Sequence, residues 1–374
     1  MPVDRGLAYD LAAELGRVYA DASHTLMVQL ARRLAAGIDA SDWYTRQLAA
    51  AGDIRTLALR LIARLDSDLH GRVEQAIVRA YVRGGTAALD ELAQIAGMPA
   101  GTTAAARAAA PGIDAVNLLV WATIAQLSGT HTQILRWSLD TYRAVIAAAA
   151  PAVLLGHMTR REAAQRAWQK FVDGGITGFV DKSGRRWELA SYTEMASRTA
   201  VTQAAVQGHI DQLGERGFDL VAVSGSPGSC PVCEPWEGAI LTRGESRPGV
   251  VNVEHATRDG VMVPVRVAGS VADAVAAGLL HPNCRHRLMA YLPGITRPAR
   301  TIEGNAQHYA DRDRLRALER AVRKWKTRQA TALDPGARRA AALRVRAAQA
   351  AVRDHVAATG LIRQPYREQI GRAR

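Results

Sequence analysis

The chain has 374 residues, 48% of them hydrophobic, a formal net charge of +13 and three cysteines. That length and apolar content allow two or three domains with real cores and exclude a disordered chain. The N-terminus, Met1-Pro-Val-Asp-Arg-Gly6, lacks the basic stretch and apolar run of a signal peptide. The most apolar segment, residues 144–156, is interrupted by Pro151 and too short for a bilayer, so a soluble protein with no membrane partner, folding in a reducing cytoplasm, is expected.

Residues 1–97 read as an N-terminal helical region. Leu7, Leu11, Leu15, Val18, Ala22, Leu26 and Leu30 recur at helical spacing as one apolar stripe, which requires a partner. Ser41 is placed to cap a short helix through Leu48, and Asp53 a third carrying Leu57, Leu61, Leu65, Val73, Ile77 and Tyr81, which Gly84 and Gly85 are expected to break. The Pro- and Gly-punctuated stretch 98–112 reads as a linker. One long helix is predicted from about Ile113 to Ala150, with Trp121, Ile124, Leu135, Leu139, Tyr142 and Ile146 buried and Pro151 ending it. Region 113–158 comprises this helix and its connection.

Thr159-Arg-Arg-Glu162 and Ser191-Tyr-Thr-Glu194 both match the capping box and mark expected helix starts. Between them, residues 178–189 predict a hairpin across Asp181-Lys-Ser-Gly184. From Asp219 the pattern turns to short strands: Leu220–Val223, Ala239–Leu241, Val250–Val253 and Val261–Val267, with a helix returning over Val271–Leu280.

All three cysteines fall here, in Cys230-Pro-Val-Cys233-Glu-Pro-Trp236 and His281-Pro-Asn-Cys284-Arg-His286. A Cys-x-x-Cys turn offers two thiolates from one bend, and either Cys284 with His286 or His281 with Cys284 completes a tetrahedral shell, for which zinc fits best. A thioredoxin-like redox motif would open a helix in a βαβ unit, whereas Pro235 and Gly238 follow here. Three unrelated core cysteines would not bring two histidines with them. No His-x-Glu precedes the cysteines, as a deaminase-type catalytic zinc would require. The expectation is a structural zinc that clips the loop from Cys233 to Cys284 in a domain with a thin core, the motifs bracketing the sheet and Trp236 packing beside them. Glu234, Glu237, Glu254 and His255 also lie near the motifs. An enzyme with an open metal position would use such groups, but solvated loop residues account for them more simply.

From Pro293 onward, 19 Lys and Arg face 7 Asp and Glu, so a surplus of 12 sits in the last fifth of the chain. Region 301–374 reads as basic helices interrupted at Asp334-Pro-Gly, with Leu315, Leu318, Val322 and Trp325 as an apolar seam. Arg312, Arg316, Arg320, Arg323, Lys324, Lys326 and Arg328 are the candidate DNA contacts; the competing account is a solvated charged face in an Arg-rich composition. The fold class is therefore α+β: N-terminal helices, a small zinc-stapled mixed α/β domain over 159–300, and basic C-terminal helices.

Arg198-Thr-Ala, the Cys230–Gly238 motif, and His281–His286 followed by Tyr291-Leu-Pro-Gly294 together resemble tailed-phage minor capsid proteins of the Mu F-like head morphogenesis type, closest to the phage minor capsid protein 2 branch. The resemblance covers roughly Thr159–Arg300 and is weak before Pro151. It implies a non-enzymatic virion component inside the head near the portal vertex, in few copies, made in the host cytoplasm. Its partners would be the portal protein, the inner capsid surface and packaged DNA, and its role head assembly and DNA ejection. Many relatives end the second motif in Cys-Arg-Cys where this chain has Cys284-Arg-His286, which implies His286 as fourth ligand, with His281 as the alternative or as a neighbour orienting the turn. Some relatives add a C-terminal toxin or enzyme domain; the residues after Gly294 offer no catalytic constellation. A zinc-stapled, non-specific nucleic-acid-binding protein is the competing reading, though no DNA-reading motif supports it.

Overall fold

The computed structural model describes residues 5–96, 113–154, 158–180, 184, 186–281, 284–298 and 305–371. The expected linker at 98–112 lies outside them. The helices are α1 (Arg5–Ala35), α2 (Trp43–Ala49), α3 (Ala51–Ala96), α4 (Ile113–Ser128), α5 (His131–Leu154), α6 (Arg160–Gly174), α7 (Leu189–Glu215), α8 (Val271–Ala276), α9 (Asn305–Ala330) and α10 (Pro335–Thr359). The strands are β1 (Thr177–Val180), β2 (Arg186–Glu188), β3 (Leu220–Val223), β4 (Ile240–Thr242), β5 (Gly249–His255), β6 (Arg258–Ser270) and β7 (Leu288–Ala290). This mostly helical chain with a central mixed sheet is the expected α+β class. Two compact units interleave along the sequence: Met1–Glu14, Gly71–Ile124 and Met195–Asp311 form one, and Leu15–His70, Ala125–Glu194 and Arg312–Arg374 the other.

The second unit is helical apart from one hairpin. Leu15, Ala22, Leu26 and Leu30 of the predicted α1 stripe are buried, joined by Tyr19. The capping box at Thr159 forms as predicted: its hydroxyl accepts the Glu162 N–H at 3.2 Å while the Glu162 carboxylate accepts the Thr159 N–H at 2.9 Å. The predicted hairpin forms as antiparallel β1–β2. Trp168 of α6 is fully buried and donates its indole N–H to the Thr331 carbonyl at 2.7 Å. Asp334 caps α10 by accepting the Ala337 N–H at 2.8 Å, with Pro335 in the first turn, and α10 packs Val352 against Leu315 and Val322 of α9.

Several expected boundaries move. Ser41 caps nothing: Asp42 precedes α2, and its side chain makes no cap bond. Asp53 lies inside α3, which starts at Ala51. The long helix over 113–150 is two helices, because Gly129 weakens the helix and the Thr130 hydroxyl folds back onto the Leu127 carbonyl at 2.5 Å. Trp121, expected to be buried, is 62% exposed, and Val116, Val120 and Leu127 form the buried face of α4. α5 runs past Pro151 to Leu154, although Pro151 brings no N–H to the helical ladder. Ser191 lies within α7, which follows β2 directly at Leu189.

The first unit holds a five-stranded sheet of order β5-β6-β4-β3-β7, antiparallel except for the parallel β4–β6 pair. One face carries Leu220, Ala222, Ile240, Val265 and Val267. On the other, Val221, Val223, Leu241, Leu288 and Ala290 join Ala88 and Leu92 of α3, Ile210 and Leu213 of α7, and Ala274 of α8. Recruiting α3 and α7 gives the sheet a thicker core than its own segment supplies. Gly84 and Gly85 do not break α3. A methyl group on Gly84 would strike the Ala205 carbonyl, and one on Gly208 the Tyr81 carbonyl, so these glycines let the backbones of α3 and α7 touch.

Candidate metal centre

The sheet explains why two motifs separated by some fifty residues of chain meet. β3 and β7 are antiparallel neighbours with Val223 opposite Leu288. The loop leaving β3 and the loop entering β7 therefore emerge at the same end of the sheet. β3 precedes and β7 follows the two motifs, so the motifs bracket only β4–β6 rather than the whole sheet; the first lies in the loop between the paired strands β3 and β4, the second in the loop from α8 to β7. β7, only three residues long, was not among the predicted strands.

In the first loop, the Cys233 and Glu234 N–H groups both donate to the Cys230 carbonyl at 3.0 Å, and a 3-10 turn over Glu234–Trp236 follows. Trp236 packs against the core that contains Cys233, as expected. In the second, Gly278 has a φ of 103°, and any side chain there would meet Val232 of the Cys-x-x-Cys turn at 2.7 Å. Leu280 takes a left-handed φ of 58°, uncommon for a residue other than glycine, just before His281. The Cys284 N–H then closes the turn onto the His281 carbonyl at 2.8 Å.

Two overlapping ligand groups result: Cys230, Cys233 and His281, and Cys233, Cys284 and His286, the donor atoms of each lying within 4.8 Å of one another. The Cys233 and Cys284 sulfurs are 3.6 Å apart, the Cys284 sulfur lies 3.4 Å from His286 Nδ1, and the Cys230 sulfur 3.1 Å from His281 Nε2. A tetrahedron with zinc–sulfur bonds of about 2.3 Å has edges of about 3.8 Å, so the first two separations suit a shared cation. The donor set fits as well: thiols and imidazoles, with Cys233 and His286 buried, favour a borderline-soft ion such as zinc over hard cations.

Behind His286 stands Glu237, whose side chain is fully buried. Its Oε1 accepts from the Ser226 N–H at 2.9 Å, the Ser229 hydroxyl at 2.6 Å and His286 Nε2 at 3.0 Å. Burial favours the neutral acid, but these bonds outweigh it and hold the Glu237 carboxyl below its ordinary range. Burial likewise opposes a charged His286, and the bonds to Cys284 and Glu237 overcome it, raising its pKa. The bond from Cys233, helped by His286 against burial, draws the Cys284 thiol down to about 4, while the same bond drives Cys233 upward. Spacing alone brought out the five candidate ligands; Glu237, Ser226 and Ser229 were not found as their support, because nothing in the sequence says which carboxylate faces inward.

Glu254 and His255 serve the backbone. Glu254 accepts the Gly260 N–H at 2.7 Å in the β5–β6 turn, and His255 Nδ1 accepts the Thr257 N–H at 3.2 Å. The α9 cations are largely engaged within the protein. Arg316 pairs with Glu319 at 2.8 Å, Arg328 forks onto Asp173, Lys324 lies 3.8 Å from Asp173, Lys326 donates to Gln369 at 3.0 Å, and Arg323 donates to the Arg367 carbonyl. Arg312 also has a partner, and Arg320 is exposed.

A mixed sheet packed on long helices, with a Cys/His cluster in its loops, defines a helix-rich α+β protein. The chain belongs to the phage minor capsid protein 2 family, whose model it matches over residues 9–357. It is similar to a structural protein of Lactococcus phage LL-H, 24% identical over 202 residues, covering 51% of this chain and 50% of the relative. The chain thus spans about half the length of that curated relative. No solved structure matches. The family is one of phage minor capsid proteins, which makes this chain a component of the virion capsid. Among the described residues, no helix is long and apolar enough to cross a membrane.

Proposed function

We propose that the protein is a minor head component near the portal vertex, inside the capsid, and that a structural zinc ion held by Cys230, Cys233, Cys284 and His286 fixes its sheet. The family match over residues 9–357 carries the capsid part of this reading. The convergence of three cysteines and two histidines at one end of the sheet supports the metal. Zinc supplies no chemistry here; it holds two loops together, so the end of β3 and the start of β7 stay in register. Localisation in intact particles tests the placement. Density or cross-links joining this chain to the portal protein are expected, and a position confined to the outer shell would overturn it.

A second reading, contact with packaged DNA during packaging or ejection, draws on α10 more than on α9. Arg339, Arg346 and Arg353 are exposed and, among the described residues, engaged in no ion pair or side-chain hydrogen bond. Residues seven apart on a helix repeat on nearly the same face at about 10 Å intervals. These three therefore form a row about 120° around the helix from the buried Ala341, Val345 and Val352. Asp354 is the helix's own carboxylate, so the row is almost unneutralised and suits a polyanion.

A further inference from the structure

The cluster offers two histidines where a tetrahedral ion with three thiolates needs one. We infer that Glu237 is the positioning residue that selects His286 over His281, and that His286 binds through Nδ1. This rests on the zinc reading above and goes beyond it by naming the ligand atom and the group that sets it.

The imidazole of His286 is bounded at both ends. Nε2 lies 3.0 Å from a carboxylate oxygen, and Nδ1 lies 3.4 Å from the Cys284 sulfur. A neutral imidazole that binds a cation through one nitrogen carries its proton on the other, and that N–H needs an acceptor. Glu237 Oε1 is such an acceptor, which leaves the Nδ1 lone pair facing the thiols. The carboxylate is itself held in place: the Ser226 N–H and Ser229 hydroxyl donate to the same oxygen, and the Gly238 N–H, next in the chain, is tied to the Val223 carbonyl at the end of β3 at 3.0 Å. Both Glu237 and His286 are shielded, with side-chain exposures of 0% and 1%, so water does not compete for the Nε2 proton. His281 is half-buried and presents Nε2 to Cys230 at 3.1 Å. In this arrangement it donates a hydrogen bond to the Cys230 thiolate, lowering the charge on the sulfur without entering the shell. The remaining oxygen of Glu237, Oε2, is buried and has no hydrogen-bond partner among the described residues, so all three bonds of the carboxylate converge on the oxygen that faces the imidazole.

The test uses the full chain, with zinc affinity read by competition against a chelator and folding followed by circular dichroism. Wild type is expected to hold zinc; Glu237→Gln, which keeps the shape and removes the charge, should fold and bind about ten- to a hundredfold more weakly. His286→Ala should lose the ion, and His281→Ala should keep it. A readout independent of any variant is the histidine nitrogen NMR spectrum of the zinc-loaded wild type, in which His286 should show a metal-bound Nδ1 and a protonated Nε2. Unchanged affinity in Glu237→Gln or a metal-bound Nε2 on His286 would each overturn the inference while leaving the zinc reading intact; loss of zinc in His281→Ala but not in His286→Ala would overturn it and also replace the fourth ligand of that reading. A wild-type protein that binds no zinc would overturn both.

Discussion

His131 sits 95% buried in the helical unit, with Tyr19 and Asp66 at its two nitrogens: Nε2 lies 2.9 Å from the Tyr19 hydroxyl and Nδ1 2.8 Å from an Asp66 oxygen. The neutral ring satisfies both, accepting from the phenol and donating to the carboxylate. Burial lowers the His131 pKa, and the Asp66 charge only partly restores it. The unfolded chain, titrating near 6.5, therefore takes up a proton before the folded protein does. Stability is complete above about pH 6.5 and falls as pH drops toward the folded value, by at most about 1.4 kcal/mol per pH unit for one proton. Urea denaturation between pH 7.5 and 5 measures this, and His131→Gln should flatten the dependence; an equal slope in the variant would assign it elsewhere. Cys233 makes a separate case, since it is the ligand common to both groups. Cys233→Ser should abolish zinc binding in metal analysis and lower the melting temperature to that of chelator-treated wild type. Zinc sites add their binding energy to folding, so a variant as stable as the zinc-loaded protein would show that the ion staples nothing.

At the level of elements, the contact between α3 and α7 depends on Gly84, which reads as a helix breaker in the sequence, and on Gly208. Gly84→Ala and Gly208→Ala each force a methyl group into a backbone carbonyl of the partner helix. Neither carbonyl can rotate away without breaking helical hydrogen bonds, so a cost of about 1–3 kcal/mol or more is expected. Gly71, also in α3, meets nothing within 4 Å, and Gly71→Ala should stabilise by up to about 1 kcal/mol through helix propensity alone. Opposite signs for the same substitution in one helix, read by thermal or urea melting, are the signature; equal effects would argue against the close crossing. The contrast also shows what the sequence could and could not reveal. Local signals were legible: the capping box at Thr159, the break between helices at Asp334-Pro-Gly and the β1–β2 hairpin are written within a few residues of themselves. A glycine's tertiary partner, the outward turn of Trp121 and the three-residue β7 depend on segments distant in sequence. The candidate site divides similarly, because ligand types and spacing are local whereas the support given by Glu237 depends on the fold.

Across the whole molecule, the surplus of 12 positive charges after Pro293 divides into two populations. On α9, Arg316, Arg323, Lys324, Lys326 and Arg328 hold the helical unit together through Glu319, Asp173 and the C-terminal segment. Releasing them to bind phosphate would break internal bonds, so they contribute little to any external contact. Arg339, Arg346 and Arg353 on α10 have no such duty. If the chain meets DNA, the salt dependence should therefore follow α10. For a duplex, each neutralised phosphate contributes about 0.9 to the slope of log affinity against log salt. Replacing the three α10 arginines by Gln should reduce that slope by about 2.7 and leave thermal stability near wild type, because their side chains are exposed. Arg320→Gln, exposed on α9, should change it by no more than about 0.9. Binding of the full chain to a random-sequence duplex, titrated from 50 to ~300 mM salt, reads both. A triple variant with the wild-type slope would remove α10 from the DNA-facing surface, and a wild-type protein that fails to bind at the lowest salt would leave the positive tail to an acidic capsid partner.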